Sequence, residues 1–140
     1  MIHAAGRGGR MHALRLIPGE DLRATLHAWA QRARIEAAGI VSAVGSCSRA
    51  CLRFAGRSEG TVIEGDLEIC SLSGTLARHG LHLHLVIADA EGRTTGGHLL
   101  DGCIVRTTLE LIVQEVDGVQ FLRTPDAGTG YLELDPRVTG

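Results

Sequence analysis

The sequence predicts an α+β fold, a mostly antiparallel β-sheet with one main N-terminal amphipathic helix. Two observations carry this. Helical periodicity is confined to Glu20–Ala38, and from Gly39 onward the chain is strand-like almost to its end, with no regular βαβ alternation. At 140 residues, 44% hydrophobic and 21% charged, the chain is long enough for one well-buried core and too short for two. Only 3% of it is aromatic, so Leu, Val, Ile and Ala must fill that core.

Met1 to Gly9 is Gly-rich without periodicity and reads as a flexible leader, leaving residues 10–140 as a single domain. Arg10 to Ile17 alternates as a strand does, and Pro18-Gly19 ends it. Leu22, Leu26, Trp29 and Ala33 then repeat at helical spacing. Glu20 and Asp21 suit the first turn of that helix, and Gly39 can close it. Trp29 lies on the apolar stripe and reads as a core anchor.

Beyond the helix, five segments carry aliphatic strand patterns: Ile40 to Cys47, Cys51 to Ala55, Asp66 to Leu76, Leu81 to Ala88 and Ile104 to Val116. Asp117-Gly118 between Val116 and Val119 predicts a type I′ hairpin turn. Asp89 and Asp101, with Gly92 and Gly102 nearby, read as turn formers.

The strongest chemical signal is His82, His84 and His98, three potential metal ligands in one short apolar stretch. In a strand His82 and His84 share a face, with backbones roughly 6 to 7 Å apart, while Leu81, Leu83 and Leu85 take the other. A third His from the next segment would complete a three-nitrogen set, which suits zinc and leaves a coordination position open. Parity raises a difficulty. If Asp89 pairs with Gly92 across an uninterrupted ladder, Leu83 falls opposite His98, and His98 faces away from the other two. One extra residue reverses that facing, and Gly96-Gly97 is where a bulge is expected. The residues alone leave two readings open, a metal site or hydrogen-bonded histidines on a partly polar sheet face.

Net charge is −2 and all 14 basic residues are Arg, which argues against a broadly basic, DNA-coating surface. Arg15, Arg49, Arg53, Arg78 and Arg106 could meet another subunit or an anionic ligand, but ordinary solvation is the simpler account. No apolar run is long enough to span a bilayer and the first residues lack a signal-peptide apolar region, so no membrane partner is expected and the expected location is cytoplasmic. Cys47, Cys51, Cys70 and Cys103 form no Cys-x-x-Cys pair, and their scatter through apolar strands predicts reduced, buried thiols and no disulfide framework. Gly-rich phosphate loops and nucleophile elbows are absent.

Four motifs in order carry a family resemblance. They are Leu14-Arg-Leu-Ile-Pro-Gly-Glu-Asp-Leu22, Gly39-Ile-Val-Ser-Ala-Val-Gly-Ser46, Glu68-Ile-Cys-Ser-Leu-Ser-Gly-Thr75, and His82-Leu-His84 with Gly96-Gly-His-Leu99. Over about Arg10 to Arg123 the chain resembles the PPC domain (plants and prokaryotes conserved), whose prokaryotic members are often labelled DNA-binding proteins. The resemblance implies a homotrimer and, in the branch with these histidines, a metal site on His82, His84 and His98. Plant members pair the domain with an AT-hook, and Gly6-Arg7-Gly8-Gly9-Arg10 lacks both the contiguous Arg-Gly-Arg and the Pro of that motif. Direct DNA binding is therefore weakly supported.

Two functions fit. The first is a trimeric zinc-binding domain with a regulatory or scaffold role, associated with DNA through a partner. The alternative is a metal-dependent enzyme using the open coordination position, with Glu68 or Glu110 as general base or as acceptor for a His N–H. Both carboxylates equally fit a solvated sheet face, and no substrate class can be named.

Overall fold

The computed structural model describes residues 1–140. Strands β1 (Arg7–Leu16), β2 (Ala38–Arg53), β3 (Gly60–Ala77), β4 (Gly80–Ala88), β5 (Thr94–Leu99) and β6 (Ile104–Asp117) form one antiparallel sheet in the order β1-β6-β2-β3-β4-β5. The far edge closes back, because Leu52 and Arg53 at the end of β2 also pair with Leu99 and His98 of β5. Strands β2, β3, β4 and β5 thus make a closed ring of hydrogen-bonded neighbours. Closure protects edges that would otherwise template further pairing.

The single helix α1 (Leu22–Arg32) packs against β3 and β4. Asp21 caps it, its carboxylate accepting the Ala24 N–H at 3.0 Å. Leu22, Leu26 and Ala30 are buried, whereas Ala33 is exposed and Trp29 is half-buried, edge-on to His12 with ring centroids 5.1 Å apart. The helix is shorter than the sequence pattern predicts. Arg34 takes the left-handed conformation (φ 55°) that the pattern assigns to Gly39. Ile35, Ala37 and Ala38 then bury their side chains outside the helix, and Gly39 lies inside β2, opposite Thr75 and Gln114. Burial of that aliphatic run overrides its helical spacing.

Alternation places Leu83, Leu85 and Ile87 of β4 in the same buried cluster as Leu52, Leu99, Leu109 and Leu111. Arg7, Gly8 and Gly9, assigned from sequence to the leader, belong to β1, with Arg7 opposite Asp117. Asp117-Gly118 is not a hairpin turn. Strand β6 already has β1 on one side and β2 on the other, so β7 (Val119–Pro125) finds no free edge and pairs with β8 (Leu132–Val138) in a separate two-stranded sheet. Gly118 (φ 78°) turns the corner, and the Phe121 N–H anchors β7 to the Glu36 carbonyl at 2.8 Å. No helix is long and apolar enough to cross a membrane.

Candidate metal centre

Strand β4 presents His82 and His84 on the face opposite the buried Leu83 and Leu85. His98 on β5 lies directly opposite His84, so all three imidazoles share that face. One ligand nitrogen from each lies within 4.8 Å of the other two. His82 Nε2 and His84 Nε2 are 3.2 Å apart, close to the roughly 3.3 Å that tetrahedral zinc with Zn–N bonds of about 2.0–2.1 Å imposes.

The parity problem is solved at the turn and not at Gly96-Gly97. Pairing runs unshifted from His84↔His98 through Val86↔Gly96 to Ala88↔Thr94, so the expected bulge is absent. Asp89 closes on Arg93 instead of Gly92: its N–H donates to the Arg93 carbonyl at 3.0 Å, and the Gly92 N–H donates to the Asp89 carbonyl at 2.9 Å. Gly92 at φ 78° is the extra residue, as in three-residue hairpin loops that end on a left-handed position. The Asp89 side chain holds the loop, accepting from the Glu91 and Arg93 N–H groups at 3.0 and 2.9 Å. Gly97 serves a different purpose: a Cβ there would sit 2.9 Å from the Arg53 carbonyl oxygen, so its bareness lets β2 close against β5.

Burial pushes the His98 imidazole down to about 4, helped by Arg53, by the two neighbouring imidazoles and by Arg23. His82 is lowered by burial first, then by Arg123 and His84, with Glu133 opposing. Both rings are therefore neutral at physiological pH and offer lone pairs, the form that binds a metal. The residues fit a three-nitrogen site for zinc or a similar borderline ion.

A groove of about 810 Å³ opens onto the triad, with Arg53, Phe54, Gly97 and Tyr131 among its walls. Neither carboxylate proposed from sequence reaches it. Glu68 is exposed on β3 opposite Ala88, and Glu110 is exposed on β6 between Arg15 and Val44. The acidic residue that approaches the triad is Glu133 on β8, which shares clefts with His82. Arg123 on β7 lies beside it and donates to Thr75 Oγ1 at 2.9 Å, Thr75 being the cross-strand partner of His82. Sequence reasoning overlooked Glu133, Arg123 and Tyr131 because the hairpin that carries them was not foreseen. The one available signal was Tyr131, the only Tyr in the chain, set in a polar tail.

Of the other sequence candidates, Arg78 pairs with Glu36 at 2.8 Å, Arg106 with Asp66 at 3.1 Å, and Arg15 donates to Thr108 at 3.2 Å. All four cysteines are free, but only Cys47 and Cys103 are buried as expected; Cys51 is half-buried, and Cys70 is exposed because β3 alternation turns it outward beside the buried Ile69.

Similarity to known proteins agrees with this architecture. A solved protein from Salmonella cholerae-suis is 42% identical and superposes with a TM-score of 0.94, the match covering 99% of each chain. A metal-containing protein from Archaeoglobus fulgidus is 27% identical with a TM-score of 0.82, over 96% of this chain and 99% of that one. The bifunctional protein GlmU of a Synechococcus strain is 47% identical over 125 residues, which are 89% of this chain and 20% of that protein. The chain thus spans about a fifth of the length of the GlmU proteins it matches. Residues 3–117 match the sequence signature of one domain, and with the closed sheet, the single helix and the ordered motifs they establish that the chain belongs to the Plants and Prokaryotes Conserved (PCC) domain family.

Proposed function

We propose that this chain is a metal-binding PCC domain in which His82, His84 and His98 hold a divalent ion, zinc by preference. The carrying observation is the convergence of the three ring nitrogens within 4.8 Å on a rigid two-strand platform. Support comes from the family and from the metal-containing Archaeoglobus relative. Zinc at this site would supply a Lewis-acidic position with at least one coordination site facing the groove. We further propose that the domain works as a homotrimer with a regulatory or scaffold role, meeting DNA through a partner. Exposed Met11, Val41 and Val44 on β1 and β2 give apolar surface for self-association. The −2 charge disfavours direct phosphate coating.

The groove keeps a second reading alive, a metal-dependent enzyme, because an open coordination position beside a cavity of this size suits a small substrate. Glu133 lies outside this groove as Glu68 and Glu110 do, but it lines the adjoining clefts that reach His82, which makes it the carboxylate available for proton transfer in that case. Metal analysis of the purified, untagged protein tests the primary reading. Near-stoichiometric zinc is expected in the wild type and none in the His82→Ala, His84→Ala, His98→Ala triple variant; equal metal in the two would refute the site.

A further inference from the structure

The surroundings of the triad hold more positive charge than the protein balances. Arg53 is the cross-strand partner of His98 on β5, just as His84 is on the opposite side, so Arg53, His98 and His84 form one row across three strands. Side chains opposite one another in neighbouring strands share a face. Arg53 has no carboxylate partner; its guanidinium carbon lies 5.8 Å from the Tyr131 ring centroid. Arg123 approaches from the β7–β8 hairpin and likewise has no ion pair, holding only the Thr75 hydroxyl. Arg23 also lines the cleft, but Asp101 neutralises it at 2.7 Å.

These groups meet in a cleft of about 470 Å³ walled by Arg23, Arg53, Arg123, His82, His98 and Tyr131, with Glu133 as its one carboxylate. Two unpaired guanidinium groups against a single carboxylate leave an excess positive charge before any metal is bound. A divalent ion on the triad enlarges that excess, and a neutral water in the open position would leave it uncompensated. Guanidinium groups present paired N–H donors that match the oxygens of a carboxylate or phosphate.

We propose that Arg53 and Arg123, with Tyr131 alongside, form a recognition site for a small oxyanion, a carboxylate or phosphate, that takes the open coordination position of the metal. This rests on the metal-binding reading and names the ligand class of the same centre. Arg53 holds the oxyanion from the β2 side and Arg123 from the hairpin, and the anion supplies the charge the protein lacks. The cleft falls within the size of small-ligand sites, roughly 300–1,000 Å³.

Cobalt(II)-loaded protein provides the test, because its visible bands report the coordination shell directly. Acetate and methyl phosphate, titrated separately, distinguish carboxylate from phosphate as the preferred group. Saturable band shifts are expected with at least one of them. Arg53→Met and Arg123→Met should each weaken that binding tenfold or more while the cobalt content stays at the wild-type level. Wild-type protein that takes up cobalt but shows no shift with either anion would overturn the oxyanion site alone. So would Met variants that bind as tightly as the wild type. Wild-type protein that fails to take up cobalt would overturn the metal reading itself, and this site with it.

Discussion

Gly74→Ala probes how tightly the sheet fixes the strand that carries His82 and His84. Gly74 lies on β3 opposite Leu83, between the Ser73↔His84 and Thr75↔His82 pairs. Its φ of 137° is a conformation essentially reserved for Gly. A Cβ there would collide with the His82 carbonyl oxygen and come within 2.9 Å of Leu83 Cα, so the obstructing atoms are backbone and cannot swing aside. The dihedral costs about 1–3 kcal/mol and the overpacking a further ~1–3 kcal/mol, roughly 2–6 kcal/mol together. Against a typical domain stability of about 5–15 kcal/mol this is a large fraction. For a chain of this length it corresponds to a fall in Tm of roughly 6 °C or more. Because the displaced backbone is that of His82, one of the three proposed metal ligands, zinc affinity should fall on the order of tenfold or more. Gly92→Ala is the control: Gly92 also has positive φ, 78°, but a Cβ there meets nothing within 4 Å, so it should cost only about 1–2 kcal/mol of backbone strain. Differential scanning calorimetry of the metal-free proteins and competitive zinc titration measure the two effects. A Gly74→Ala variant with wild-type Tm and zinc affinity would refute the claim that β3 backbone geometry holds the site.

Two further outcomes follow from the ionisable groups. His98 and His82 have folded-state pKa values below the unfolded value near 6.5, so as pH falls the unfolded chain takes up protons first. Metal-free protein should therefore lose stability between about pH 6.5 and 4, and the urea midpoint of His98→Gln should fall less steeply over that window; parallel pH profiles would contradict this. For the cysteines, hydrogen bonding to Cys47 and burial raise the Cys103 thiol well above its ordinary value, and Cys47 and Cys103 are fully buried. A thiol reagent should label Cys70 quickly in the native state and Cys51 more slowly, reaching Cys47 and Cys103 only on unfolding; mapping of labelled peptides would expose any other order.

Period-two alternation around His82 and His84 was legible because one β4 face is committed to the core through Leu83 and Leu85, each about 1% exposed or less. The same logic correctly warned that His98 needs one extra residue to face its partners. The sequence places that residue at Gly96-Gly97 because Asp89 to Gly92 has the pattern of a two-residue turn, whereas the Asp89 side chain stabilises a longer loop ending on Gly92. The helix end was misread for a related reason: left-handed residues are expected to be Gly, and here Arg34 accepts that conformation. The β7–β8 pair was unreadable because Asp117-Gly118 carries a strong local hairpin signal that topology overrides once both edges of β6 are taken.

The centre divides into parts with different anchoring. The imidazoles stand on β4 and β5, inside a ring of strands whose inner side is packed with Leu52, Leu85 and Leu99 at 0% exposure. Arg123, Tyr131 and Glu133 come instead from a two-stranded hairpin and the loop between its strands, attached to the rest of the domain by the Phe121 N–H to the Glu36 carbonyl of the α1–β2 connection and by Arg123 to Thr75 of β3. A packed sheet fixes donor positions, while a small satellite hairpin with little buried apolar surface opens at lower free-energy cost. On the metal reading, retention of the ion and recognition of its ligand are therefore separable in this fold: substitutions in the hairpin can retune what binds beside the proposed ion without disturbing the three imidazoles proposed to hold it.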